Sequence, residues 1–339
     1  MSESKSGLIL PEKYISRSES LLYIAAQLIK KAAYINLIDV KDLHVDMPDA
    51  TKAFLDARLL SGKNDVLFSS LHKSLFETVG IPYVLDKMHY PIPYIVMGDN
   101  LFKGKTVIYL LTKLGAIVSE RSNLNKKEAT DNLIGKIKNV LDHNNSILAF
   151  PYDGRSKDGF IKKMKTTAIQ AAIASNTAII PVDVDYFNVN EEQEFIEYDG
   201  KSYTFKAGHF FRWFFKDLGD IQITFGTPII PSDISSDRNE LAKYVREQSM
   251  NLVKIYARNI VAYSMMQEEV MQNPKKLEYI VKKNLEKVSS QSHKFIDFTL
   301  DATLDELLFK AQLSGKDSKA IRLYGNYMSH YVEGMYDKC

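Results

Sequence analysis

Ile147-Leu148-Ala149-Phe150-Pro151-Tyr152-Asp153-Gly154-Arg155-Ser156 is the stretch whose reading decides the fold. Its first four residues are an unbroken apolar run, which reads as a buried strand. Pro151 stops the run, and Asp153-Gly154 gives a tight turn. Arg155 then emerges just beyond the carboxyl end of the strand, where an open α/β sheet places its ligands. A lysine cluster follows at Lys162, Lys163 and Lys165. Arg binds phosphate oxygens bidentately and Lys adds point charge, so the segment suits a phosphate dianion. A solvated basic loop is the other reading.

Outward from this strand, short apolar runs alternate with helical patterns. Val66-Leu67-Phe68, Tyr94-Ile95-Val96-Met97 and Ala116-Ile117-Val118 read as strands, as do residues 178–184 and 221–225. A helix is expected to begin near Ser74, with others over 106–114, 126–142 and 166–174. Such alternation predicts an α/β fold with a mixed, largely parallel sheet flanked by helices. Residues 14–60 carry apolar side chains at helical spacing, among them Leu21, Ile24, Leu28 and Ile35. Beyond Asp233 the pattern is helical to the end, broken at Asn273-Pro274. Asp237 with Glu240, and Thr303 with Glu306, have the spacing of capping boxes. Three regions follow: a helical one over 1–63, an α/β one over 64–235, and a helical one over 236–339.

Composition narrows the function. The chain has 339 residues, a quarter of them charged, and a formal net charge of +2. That balance lacks the strongly basic face of a nucleic-acid binder. The single cysteine, Cys339, leaves no disulfide framework and no thiolate metal site, so no metal is expected and a reducing cytoplasm fits. No segment reads as a signal peptide or membrane span. The longest charge-free run, residues 166–182, is interrupted by Gln170, Asn176 and Pro181.

His72 follows the first strand of the α/β layer, with Glu77 five residues on. A carboxylate one helical turn from a histidine can fix its tautomer and leave the other ring nitrogen free as a base. A structural histidine is the other reading of this pair taken alone. The strand ends at Gly98-Asp99-Asn100, Arg121 and Arg155 can all face the same edge of one sheet.

Taken in order, these segments resemble the four blocks of the glycerolipid acyltransferase superfamily, and among its members the glycerol-3-phosphate acyltransferases. His72-Lys73-Ser74-Leu75-Phe76-Glu77 is similar to the His-x4-Asp block. Gly115-Ala116-Ile117-Val118-Ser119-Glu120-Arg121-Ser122 resembles the second, Phe150-Pro151-Tyr152-Asp153-Gly154-Arg155-Ser156 the third, and Ile179-Ile180-Pro181-Val182-Asp183-Val184 the fourth. The resemblance covers roughly 64–230. Glu77 stands where the family has Asp, and Tyr152 and Asp153 stand where it has Glu and Gly. Asp153 then delivers the carboxylate from a shifted position, or that role is lost.

The resemblance implies acyl transfer from a thioester co-substrate, acyl-CoA or acyl carrier protein, to the hydroxyl of glycerol 3-phosphate in phospholipid synthesis, without a cofactor. His72 would be the general base and Glu77 its orienting carboxylate. Arg121, Arg155 and Lys165 would hold the phosphate, with Asp153, Gly154 and Ser156 as the supporting loop. Acylation of lysophosphatidate or dihydroxyacetone phosphate, and a catalytically inactive homologue that binds lipid or acyl carrier, are the alternatives. Gly208-His209-Phe210-Phe211-Arg212-Trp213-Phe214-Phe215-Lys216 packs five aromatics among cations. It reads as an aromatic core face, as part of an acyl groove, or as an interfacial anchor. The location expected is cytoplasmic, with peripheral attachment to a membrane through 208–216.

Overall fold

The strands expected at 147–150 and its neighbours form one sheet. The structure, a computed structural model, describes residues 42–74, 77–98, 112, 115–119, 125–152, 154–156, 158–187, 220–289, 295–314, 316 and 318–332. Within these, the strands are β1 (Asp42–Asp46), β2 (Val66–Ser70), β3 (Tyr94–Gly98), β4 (Ala116–Ser119), β5 (Ile147–Ala149), β6 (Ala178–Phe187) and β7 (Asp220–Phe225). They lie in the order β1-β7-β6-β2-β5-β3-β4. Only β6 and β7 pair antiparallel; every other pairing is parallel. The helices used below are α1 (Asp49–Leu60), α2 (Glu77–Lys87), α3 (Lys126–Asp142), α4 (Thr167–Ser175), α5 (Arg238–Met250), α6 (Ala257–Met265), α7 (Leu277–Val288), α8 (Leu304–Ala311) and α9 (Ser318–Val332). The fold is therefore the α/β class expected, a mixed and largely parallel sheet flanked by helices.

Alternation along the central strands sends successive side chains to opposite faces. Leu67, Ile147, Ala149 and Ile179 join one buried cluster, with α3, α4 and the helices from α5 onward. Phe68, Leu148, Ile180 and Val182 join the other, with Leu55 of α1 and Ile81, Val84 and Leu85 of α2. Both faces are covered, which is why these strands are apolar throughout and not alternating. The C-terminal helices thus share a core with the sheet. Pro181 is accommodated inside β6 because its carbonyl accepts the Gly226 N–H at 2.8 Å. Its missing donor falls between the Ile179–Ile229 bridge and the Val182–Phe225 pair.

One expectation about helices needs adjustment. Helix holds over 49–60, but residues 42–46 are an edge strand parallel to β7. Leu43 and Val45 alternate with polar neighbours, and Pro48 ends the strand and starts α1 by accepting the N–H groups of Thr51 and Lys52. The helix expected over 106–114 lies outside the described residues apart from Thr112, as do residues 14–41 and the aromatic 208–216 stretch. Among the described residues, no helix is long and apolar enough to cross a membrane. Both predicted helix starts have their N-cap, but only the second is a capping box: the Asp237 N–H donates to Ser235 Oγ at 3.0 Å, and Glu240 accepts from the same hydroxyl instead. Asp237 accepts from the N–H groups of Asn239 and Glu240, and Thr303 and Glu306 form a reciprocal box.

Candidate active site

Parallel pairing of β2 with β5, Ser69 opposite Ala149, puts two strand ends side by side. His72 follows the first and Phe150 the second. The imidazole stacks on the Phe150 ring at a centroid separation of 4.6 Å and an angle of 29°. The main-chain N–H of Ser156 donates to the His72 carbonyl at 2.7 Å, so the two loops are also joined through the backbone.

Glu77 opens α2 and is fully buried. Its Oε2 lies 3.0 Å from His72 Nδ1. Its Oε1 accepts the main-chain N–H groups of Lys73 at 2.7 Å and Ser74 at 2.9 Å. Both oxygens are therefore committed, and the carboxylate cannot rotate without breaking a hydrogen bond. Because a carboxylate accepts, Nδ1 is the protonated ring nitrogen and Nε2 is left with its lone pair. The His72 side chain keeps 18% of its surface exposed.

The third-block loop is closed at its base. The N–H of Lys165 donates to the Pro151 carbonyl at 2.6 Å, and Tyr152 bridges to Met164. Gly154 has a φ of +82°, the left-handed turn a glycine permits. Arg155 is half-buried, Ser156 buried and Lys165 exposed. Tyr152, where the resemblance expects a carboxylate, is a core residue 4% exposed beside Met164 and Ile161. Burial pushes its phenol upward. Arg121 and Asp153 lie outside the described residues. β4, which leads toward Arg121, ends on the same edge at Ser119, three strands from β2, a spacing of about 14 Å.

A further group of charges adjoins the dyad, and no sequence pattern singled it out. Asp183 and Asp185 alternate with Val182 and Val184 on β6, so both carboxylates face the C-terminal helices. Lys73, 4% exposed, reaches them with its ammonium at 2.7 Å from Asp183 Oδ2 and 2.7 Å from Asp185 Oδ1. Burial pulls the Lys73 ammonium down, but the two carboxylates reverse this and hold it above the usual lysine range. Burial, then the Asp185 charge, push Asp183 up to about 7. Its Oδ1 is buried without a hydrogen-bond partner among the described residues. The available signal was two aspartates at alternate positions in an apolar strand, which on one buried face require a cation.

Residues 51–185 match the family model described as Acyltransferase, a span that begins within α1 and ends on Asp185. No curated protein matches the chain. A crystal structure of the 1-acyl-sn-glycerophosphate (LPA) acyltransferase PlsC from Thermotoga maritima is similar at 15% identity and a TM-score of 0.43, over 68% of this chain and 79% of that one. His72, Glu77, Arg155, Asp183 and Asp185 all fall inside the matched span, so residues 51–185 are similar to the acyltransferase family and include the dyad and the buried aspartates.

Proposed function

We propose that the protein transfers a fatty acyl group from acyl-CoA or acyl carrier protein to the free hydroxyl of glycerol 3-phosphate. The observation that carries this reading is the contact of His72 Nδ1 with Glu77 Oε2, the carboxylate being clamped from behind by two backbone N–H groups. His72 Nε2 takes the hydroxyl proton as the substrate oxygen attacks the thioester carbonyl. The tetrahedral intermediate collapses with loss of the thiolate, which receives the proton from His72. Glu77 holds the ring in the required tautomer and stabilises the imidazolium in between. The substrate oxygen is the nucleophile, so no acyl-enzyme forms.

Arg155 and Lys165 belong to a loop tied to the His72 backbone, a place from which cations can hold the phosphate and aim the hydroxyl at the base. Arg121 completes the phosphate-binding set in this reading. The product is a lipid, and residues 208–216 are the proposed contact with the membrane surface that receives it.

The test follows thiol release from acyl-CoA and from an acyl-carrier thioester, with glycerol 3-phosphate, dihydroxyacetone phosphate or lysophosphatidate as acceptor. Glycerol 3-phosphate is expected to be the preferred acceptor, and His72→Ala is expected to abolish release. Preference for lysophosphatidate would move the acceptor assignment. Unchanged turnover in His72→Ala would sink the mechanism.

A further inference from the structure

Lys73 follows the proposed base directly, yet its side chain turns away from it and into the protein. Its ammonium is buried between Asp183 and Asp185 of β6, and lies 5.9 Å from the centroid of the Tyr327 ring on α9. Asp185 is fixed in turn, because its Oδ2 accepts the Lys254 N–H at 3.2 Å. Lys254 reaches on to Asp46 at the end of β1, 2.9 Å away. The ammonium is thus anchored to β6 and, through Asp185 and Lys254, to the end of β1, while the same residue's N–H holds Glu77 Oε1 at 2.7 Å. A cavity of about 50 Å³ beside Lys73, lined by Asp185, Tyr256, Arg258, Asn259 and Tyr324, has room for a few waters. The two carboxylates account for the burial of this lysine.

We infer that Lys73 is a positioning residue for the His72–Glu77 dyad, its ammonium pinned between Asp183 and Asp185 so that the amides of residues 73 and 74 hold Glu77 against the imidazole. The role rests on the reading of His72 as the base. Two protonation states of the cluster are available near neutral pH, since Asp183 is pushed up to about 7, but Asp185 remains as a second anchor when Asp183 takes a proton.

The experiment compares wild type with Lys73→Met and with the triple variant Lys73→Met/Asp183→Asn/Asp185→Asn, in which all three side chains are uncharged. The triple variant leaves no unpaired buried carboxylate, so it decides the matter if the single variant does not fold. Two quantities are read: steady-state kinetics, and the downfield proton signal of the His72 Nδ1–H, identified by its disappearance in His72→Ala. The expected result is a folded triple variant that has lost or shifted this signal, with kcat down by about 10²-fold and KM for both substrates unchanged. A folded triple variant that keeps the signal and the kcat overturns the proposal. So does a loss carried by KM alone, or a triple variant that fails to fold, which would make Lys73 a structural residue. If wild type consumes no thioester with any acceptor, the acyl-transfer reading fails on its own, and the proton signal still reports whether Lys73 sets the dyad.

Discussion

The N–H of Ser156 donates to the carbonyl of His72 at 2.7 Å, so the proposed base and the loop carrying Arg155 share one backbone hydrogen bond. The stacking of Phe150 on the imidazole adds a second joint between the same two segments. The two functions proposed for these segments, deprotonation by His72 and phosphate binding by Arg155, are thereby held at one separation, which is what positioning of a bound acceptor requires. Phe150→Leu keeps an apolar side chain and removes the ring contact. Such pairs contribute about 0.5–1.5 kcal/mol, so kcat is expected to fall by up to about tenfold. A stopped assay of thiol release measures it; an unchanged kcat would show that the ring contact does not help to hold the base.

Glu77 is one methylene longer than the family's aspartate, and the local geometry uses that length. Ser74-Leu75-Phe76-Glu77 has the Ser-x-x-Glu spacing in which the glutamate reaches back to a backbone N–H at a helix start. One oxygen makes that contact while the other meets His72. Glu77→Gln keeps the length but loses the charge that stabilises the imidazolium, and is expected to lower kcat by about 10²–10⁴-fold. Glu77→Asp is expected to lose activity too, because the shorter arm cannot span from the amides to the ring. Greater activity in Glu77→Asp than in wild type would contradict this account.

The sequence made the central sheet legible because its strands are buried on both faces and therefore read as apolar runs, as in Ile147-Leu148-Ala149. The His72–Glu77 pair was legible because His72 follows β2 directly and Glu77 opens the helix five residues on, so that spacing stands in for distance. β1 was not, since one alternation of Leu43 and Val45 merges with the helical pattern that follows it. The Lys73 anchor was not either: it joins the loop after β2 to β6, and that contact exists only once β6 is known to lie beside β2. Tyr152 shows the converse, a position compared with a site residue that the fold uses to fill its core.

Gly159 ties the third-block loop to the last helix. Its φ is +81°, and a Cβ there would stand 2.2 Å from the Leu323 carbonyl oxygen. Next to it, Asn326 Nδ2 donates to the Asp158 carbonyl at 2.7 Å. Gly159→Ala must both strain the backbone and push α9 away, so it is expected to destabilise by about 3 kcal/mol. It is also expected to raise KM for the phosphorylated acceptor. Gly154→Ala is the control, with a φ of +82° but nothing within 4 Å of the added Cβ, and it is expected to show strain alone, about 1 kcal/mol. Thermal melts and acceptor titrations separate the two; equal losses in both variants would remove α9 from the description of the loop.

The buried carboxylates give stability a pH dependence whose sign follows from Asp183. Its value is raised from 3.8 to about 7, first by burial and then by the Asp185 charge. Between those limits the folded protein holds a proton that the unfolded chain has released, so this group's contribution to stability falls as pH rises through the window. Lys73, Asp185 and Glu77 are the charged groups that act on it, and Lys73 is held protonated throughout by its two partners. Asp183→Asn removes the titration, keeps the side-chain shape, and leaves Lys73 paired with Asp185. Wild type is therefore expected to lose melting temperature relative to Asp183→Asn as pH rises from about 4 to about 7. Carboxylates remote from Asp183 are common to both proteins and drop out of the difference. A difference that stays flat across the window would mean that Asp183 is ionised over all of it, and that the Lys73 ammonium outweighs both its burial and its neighbouring charge.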